Sequence, residues 1–205
     1  MRQRVRRATP FDWLIVGLGN PGKQYAGTRH NVGEAAVALI AARRNERLTA
    51  GRDQALTCET RIGSHRAVLA FPITFMNESG NAVGKLARRY GIDEPEQLVV
   101  IHDELDLPPG AVKVKAGGGL AGHNGLRSIT AHVHTQDYLR VRIGVGKPVS
   151  KERGADHVLS RVSRGDSTLL DVAVELAADA AETIVTHGVD AAMRQFNVRE
   201  PDPDA

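Results

Sequence analysis

Apolar positions along the chain fall into two rhythms, one of period two and one near 3.6. Leu14, Ile15 and Val16 form a short β-prone run that stops at a glycine-rich turn, after which Val32, Ala35, Ala36, Leu39 and Ile40 recur at helical spacing. Ala55 to Ile62 and Ala67 to Ala70 read as strands joined across Gly63-Ser64, turn chemistry for an antiparallel hairpin, and Pro72 ends the second. A helix is predicted from about Ser79 to Tyr90, closed by Gly91. Leu98 to Ile101 is a continuous apolar run, the mark of a strand buried on both faces, and it leads directly into His102-Asp103-Glu104. Ala111 to Ala116 alternates with Lys113 and Lys115, and Leu139, Val141, Ile143 and Val145 alternate with Arg140 and Arg142. Between these two strands a helix starts at His123-Asn124 and runs to about Ala131. Ser167 to His187 reads as the longest helix, with Leu169, Leu170, Val172, Ala173, Leu176, Ala177, Ala180 and Ile184 inward and Asp171, Glu175, Asp179 and Glu182 outward. Asp190 caps a last helix to Phe196.

Charge changes this picture only through its distribution. The net charge is +3, from 27 basic and 24 acidic residues. Between Pro108 and Ser150, however, Lys113, Lys115, Arg127, Arg140, Arg142 and Lys147 face a single acid, Asp137. That bias is the footprint of a phosphate-binding face, and the acidic side of the longest helix would turn phosphates away. Arg2, Arg4, Arg6 and Arg7 crowd the start, and residues 1–13 are expected to be a disordered basic extension. The single cysteine, Cys58, rules out an internal disulfide and fits a reducing cytoplasm; it sits in a plain strand, a poor place for a nucleophile. No apolar run approaches the ~18 residues of a membrane span.

Candidate chemistry gathers at strand and turn ends. Leu14 to Gly33 reads LIVGLGNPGKQYAGTRHNVG, which delivers Asn20, Tyr25, Arg29, His30 and Asn31 to the carboxyl edge of a sheet, where open α/β folds place ligands. Gly17 to Gly22 also fits the dinucleotide pattern G-x-G-x-x-G. Pro21 withdraws an amide that a pyrophosphate would need, no helix starts on the glycines and no acid lies between Ala35 and Asn45, so a nucleotide cofactor is not expected. His132-Val133-His134 has an alternating spacing without a third metal ligand and reads as exposed loop, and no serine occupies a G-x-S-x-G elbow.

The order G-L-x-N-P-G, Y-x-x-T-R-H-N-x-G in the first stretch resembles that of the bacterial peptidyl-tRNA hydrolases. TFMNESG (Thr74 to Gly80), HDELDLPPG (His102 to Gly110) and GGGLAGHNGLRSI (Gly117 to Ile129) follow in the same family's order, so the resemblance runs from about Leu14 to Asn197. It implies hydrolysis of the ester between a peptide and the 3′ ribose of tRNA by a cytoplasmic monomer without metal or cofactor. Carried over position by position, His30 is the general base and Asp103 the carboxylate that fixes its tautomer. Asn20 and Asn77 are amide donors to the substrate carbonyl and developing oxyanion, and His123 and Asn124 grip the substrate near the scissile bond. Met76 would wall the peptide cleft, while Tyr25, Lys113, Lys115, Arg127 and Arg140 would meet tRNA. Phe71 departs from a common lysine, and Leu120 and Ala121 from a more polar or glycine-only run. A family relative that binds RNA without cutting it is the alternative, and retention of Asn20, His30, Asn77 and Asp103 together speaks against it. Pattern and resemblance together predict an α/β fold: a single domain, 14–197, with a mixed twisted central sheet flanked by helices on both sides, then a disordered tail, 198–205.

Overall fold

The computed structural model describes residues 10–148, 150, 154–160, 162 and 164–197, so most of the predicted basic extension and the whole C-terminal tail lie outside the described residues. Phe11 is already buried against Tyr90, and Trp13 opens the first strand, so ordered chain begins before residue 14. The strands are β1 (Trp13–Gly17), β2 (Thr49–Ala50), β3 (Ala55–Ile62), β4 (His65–Pro72), β5 (Leu98–Glu104), β6 (Val112–Ala116) and β7 (Leu139–Gly144). The helices are α1 (Val32–Ala42), α2 (Ser79–Tyr90), α3 (Asn124–Val133), α4 (Gly154–Leu159), α5 (Arg164–His187) and α6 (Val189–Phe196).

One mixed sheet of seven strands runs in the order β2-β3-β4-β1-β5-β7-β6. β1 is parallel to β4 and β5, and β5 to β7, whereas β3 pairs antiparallel with β4 and β6 with β7. Strand alternation sends side chains to two apolar clusters. Ile15, Leu69, Ile101 and Val141 meet α1, α5 and α6 on one face, while Leu14, Val16, Val68 and Val100 meet α2 and α3 on the other. Helices therefore cover both faces, and the parallel centre directs the carboxyl ends of β1, β4, β5 and β7 to one edge.

Three expectations shift. β5 continues through Glu104, so His102, Asp103 and Glu104 are buried strand residues and not the loop that follows one. In α5 the core stripe is Leu170, Ala173, Ala177, Ala180, Ala181 and Ile184, whose alanines allow close approach to the sheet; Leu169 and Val172 lie round the helix at 51% and 53% exposure. Its acids are engaged too, with Glu175 and Asp179 on Arg43 and Glu182 on Arg44. Finally, His132 and Val133 belong to α3, where His132 bridges the Ser128 carbonyl (2.8 Å) and Asn81 Oδ1 (2.9 Å), and of the three only His134, the exposed C-cap, stands in the connection that follows. Cys58 is a buried strand residue whose thiol is pushed up to about 12 by burial and by its hydrogen bond to Glu46.

Candidate active site

Close backbone packing locks the end of β1 to the start of α1. A Cβ on Gly17 would lie 2.1 Å from the Gly33 carbonyl oxygen, and one on Gly33 would lie 2.3 Å from the Ile101 carbonyl oxygen, so both positions require glycine. The chain between them is fixed by a reciprocal pair: Asn20 N donates to Asn31 Oδ1 (2.9 Å) and Asn31 Nδ2 donates to the Asn20 carbonyl (3.0 Å). Asn20 Oδ1 accepts the Met76 amide at 2.8 Å. With its oxygen so used, the amide's NH₂ is the end left to donate elsewhere.

A 3-10 turn, Arg29–Asn31, then carries His30 opposite the end of β5. His30 Nδ1 lies 2.8 Å from Asp103 Oδ1, and His123 Nε2 lies 3.0 Å from the same oxygen. His123 caps α3, its Nδ1 accepting the amides of Gly125 (3.1 Å) and Leu126 (3.4 Å). Its proton must therefore sit on Nε2, where it is donated to Asp103. Burial alone would raise the Asp103 pKa, but two imidazoles and their hydrogen bonds overcome it and hold the carboxyl well below the usual range. An ionised Asp103 takes the Nδ1 proton of His30 as well, leaving His30 Nε2 as an acceptor.

His30, Asp103, Glu104, His123 and Asn124 form the polar side of a cleft of about 230 Å³, and Leu105, Ala121 and Val158 its apolar side. Glu104 was not expected there; it holds Arg142 at 3.1 Å, and its position directly after Asp103 on a buried strand was the available signal. Asn20 and Asn77 do not line this cleft. Asn20 is buried, and Asn77 is exposed on the turn Met76–Glu78 that Asn20 anchors. Met76 is 4% exposed within the α2/α3 cluster, so its side chain is core, contrary to the expected cleft wall; its backbone amide does the positioning. Tyr25 is half-buried in the turn before His30, and Arg127 is exposed on α3.

The basic face is built by register. Lys113 lies opposite Arg142 and Lys115 opposite Arg140 on the β6/β7 ladder, like charges that destabilise a sheet unless something answers them. Arg140 answers differently from expectation. It is 2% exposed, with its guanidinium spent on backbone carbonyls, and cannot meet a phosphate. Arg142, which alternation places on the same face, takes its place beside the two half-buried lysines.

The ligand atoms of His30, Asp103 and His123 lie within 4.8 Å of one another, close enough to hold a cation. Ligation through His123 Nε2 would move that ring's proton to Nδ1, against two amide donors, so the set suits hydrogen bonds better than a metal. An imidazole paired with a buried carboxylate, in a cleft at the carboxyl edge of the sheet, is an arrangement of the hydrolase class. The chain belongs to the peptidyl-tRNA hydrolase family, whose pattern it matches over residues 14–204. It is 45% identical to the peptidyl-tRNA hydrolase of Frankia alni over 185 residues, covering 90% of this chain and 93% of that one. With the peptidyl-tRNA hydrolase of Cutibacterium acnes it shares 46% identity over 196 residues, 90% of this chain and 98% of that one. The crystal structure of the Acinetobacter baumannii enzyme superposes with a TM-score of 0.87 at 38% identity, covering 95% of this chain and all of that one.

Proposed function

We propose that this chain hydrolyses the ester between a peptide and the 3′ ribose of tRNA, freeing tRNA for reuse, with His30 as general base. The observation that carries this is the 2.8 Å pairing of His30 Nδ1 with Asp103, which leaves Nε2 an acceptor on a ring lining the cleft. Water at Nε2 gives up a proton as it attacks the ester carbonyl. The bond to the ribose oxygen then breaks, and the imidazolium returns its proton to the 3′ oxygen. Asn124, which lines the cleft, steadies the substrate and the tetrahedral oxyanion, the free amides of Asn20 and of exposed Asn77 hold the part of the substrate that extends beyond the cleft, and Tyr25, Lys113, Lys115 and Arg127 take the tRNA. In this reading the enzyme works as a monomer in the cytoplasm, where its substrate arises. The retained His30 and Asp103 pair favours this over a binding-only role.

Release of free tRNA from an N-blocked charged tRNA tests the reading. His30→Ala is expected to stop release while tRNA binding persists. Lys115→Ala is expected to raise KM and to lower the salt slope of binding by about one. Release by His30→Ala at the wild-type rate would remove the mechanism.

A further inference from the structure

Arg140 is a large buried cation that forms no ion pair among the described residues. Its donors go to three successive carbonyls of the loop between β6 and α3: Nη1 to Gly119 (2.9 Å), and Nη2 to Gly118 (2.8 Å) and Gly117. Nε is buried without a partner. A guanidinium held in the interior by carbonyl dipoles alone is costly relative to an apolar side chain, so fold stability does not explain it. The loop does. Gly117 (φ +60°) and Gly118 (φ +84°) take left-handed angles, and their carbonyls, with that of Gly119, converge on the guanidinium. From there the chain closes through the His123 amide on the Leu120 carbonyl (2.9 Å) and delivers His123 to Asp103. Lys115 stands beside the same loop: a Cβ on Gly118 would lie 3.1 Å from its Nζ.

We propose that Arg140 is a positioning residue, which fixes the course of the glycine loop so that His123 meets Asp103 and Asn124 reaches the cleft, without itself touching tRNA. This rests on the hydrolase reading above. The two opposed cations of the β6/β7 ladder thereby divide their work, the buried one setting the loop and the half-buried one meeting phosphate.

The test compares Arg140→Lys and Arg140→Gln with Lys115→Ala, reading kcat and KM for tRNA release across salt, together with amide hydrogen exchange of residues 117–124. Lysine keeps the charge but loses the planar fork, whose two terminal nitrogens reach the Gly119 carbonyl and the Gly117 and Gly118 carbonyls from separate points. For both Arg140 variants kcat is expected to fall about tenfold or more, a loss on the scale of misplaced catalytic geometry. KM and its salt slope are expected to stay within about twofold, while loop amides exchange faster and β5 and β7 stay protected. Lys115→Ala is expected to do the reverse, moving KM and salt slope with loop exchange unchanged. A flattened salt slope with unchanged kcat in Arg140→Gln, which removes the charge, would overturn the proposal in favour of a phosphate contact. Loss of protection in β5 and β7 along with the loop in both variants would overturn it in favour of a purely structural role. An inactive wild type would defeat the hydrolase reading instead, and the exchange comparison would still decide whether Arg140 holds the loop.

Discussion

His102 makes the pH dependence of folding testable. Its ring is buried next to the Asp103 carboxylate, with Nδ1 2.7 Å from the Asp103 carbonyl, Nε2 unpartnered and the His123 ring edge-on at 5.0 Å. Desolvation first, and His123 second, push its pKa from 6.5 down to about 3. A buried base with a depressed pKa contributes stability that is complete above its unfolded value and is lost as pH falls below it, because the unfolded chain then binds a proton that the folded chain refuses. At about 1.4 kcal/mol per unit, the loss from this one ring is roughly 2 to 3 kcal/mol between neutrality and about pH 4.5. Asp103, depressed as well, is ionised in both states down to about pH 4.5, so its own contribution fades only at lower pH. His102→Asn keeps a donor near the Nδ1 position and removes the titration. Urea unfolding at several pH values from 7.5 to 4.5 is expected to show a shallower loss of stability in the variant, with the curves converging as pH falls. Parallel curves would mean that the ring is protonated in the fold or reaches water, and the argument would fail.

Three further substitutions probe the scaffold of the site. Asp103→Asn keeps the shape but removes the charge that orients His30 and His123, and single-turnover release is expected to fall by on the order of 10² to 10⁴, as for an orienting carboxylate in a hydrolytic triad, with the thermal transition retained. Gly33→Ala places a Cβ 2.3 Å from the Ile101 carbonyl oxygen and 2.7 Å from Leu18 N, all backbone with no flexible end to yield. It is expected to cost about 3 kcal/mol or more in chemical unfolding, whereas Gly119→Ala, with nothing within 4 Å, is expected to leave stability nearly unchanged.

What could be read before the fold was known follows from the range of the interactions. Periodicity is local, so β1, the β3/β4 hairpin, α2 and the alternation in β7 were legible, because each buries one face or both faces of a short segment. Burial at the end of a strand is not local. Glu104 and Arg140 look like surface charges in sequence, and only the β5-β7-β6 order shows that each is enclosed by its neighbours. α5 misled for a different reason: its exposed leucine and valine are larger than the alanines that carry the packing, so hydrophobicity pointed round the helix from the face that closeness to the sheet selects.

The same limit explains why two histidines that look alike in sequence act unequally. Both give a proton to Asp103 Oδ1, and a carboxylate between two imidazoles would by itself leave open which ring is free to accept a proton. The start of α3 decides it. A proton added at His123 Nδ1 would displace the Gly125 and Leu126 amides and set a cation at the positive end of the helix dipole, whereas no amide of the described residues occupies His30 Nε2. Asp103 therefore orients one ring with its Nε2 left as an acceptor and anchors the other, and with it the start of α3. The helix that receives Asn124 is thus tied to the same oxygen that tunes the base, and a shift of either shell is transmitted to the other through a single carboxylate.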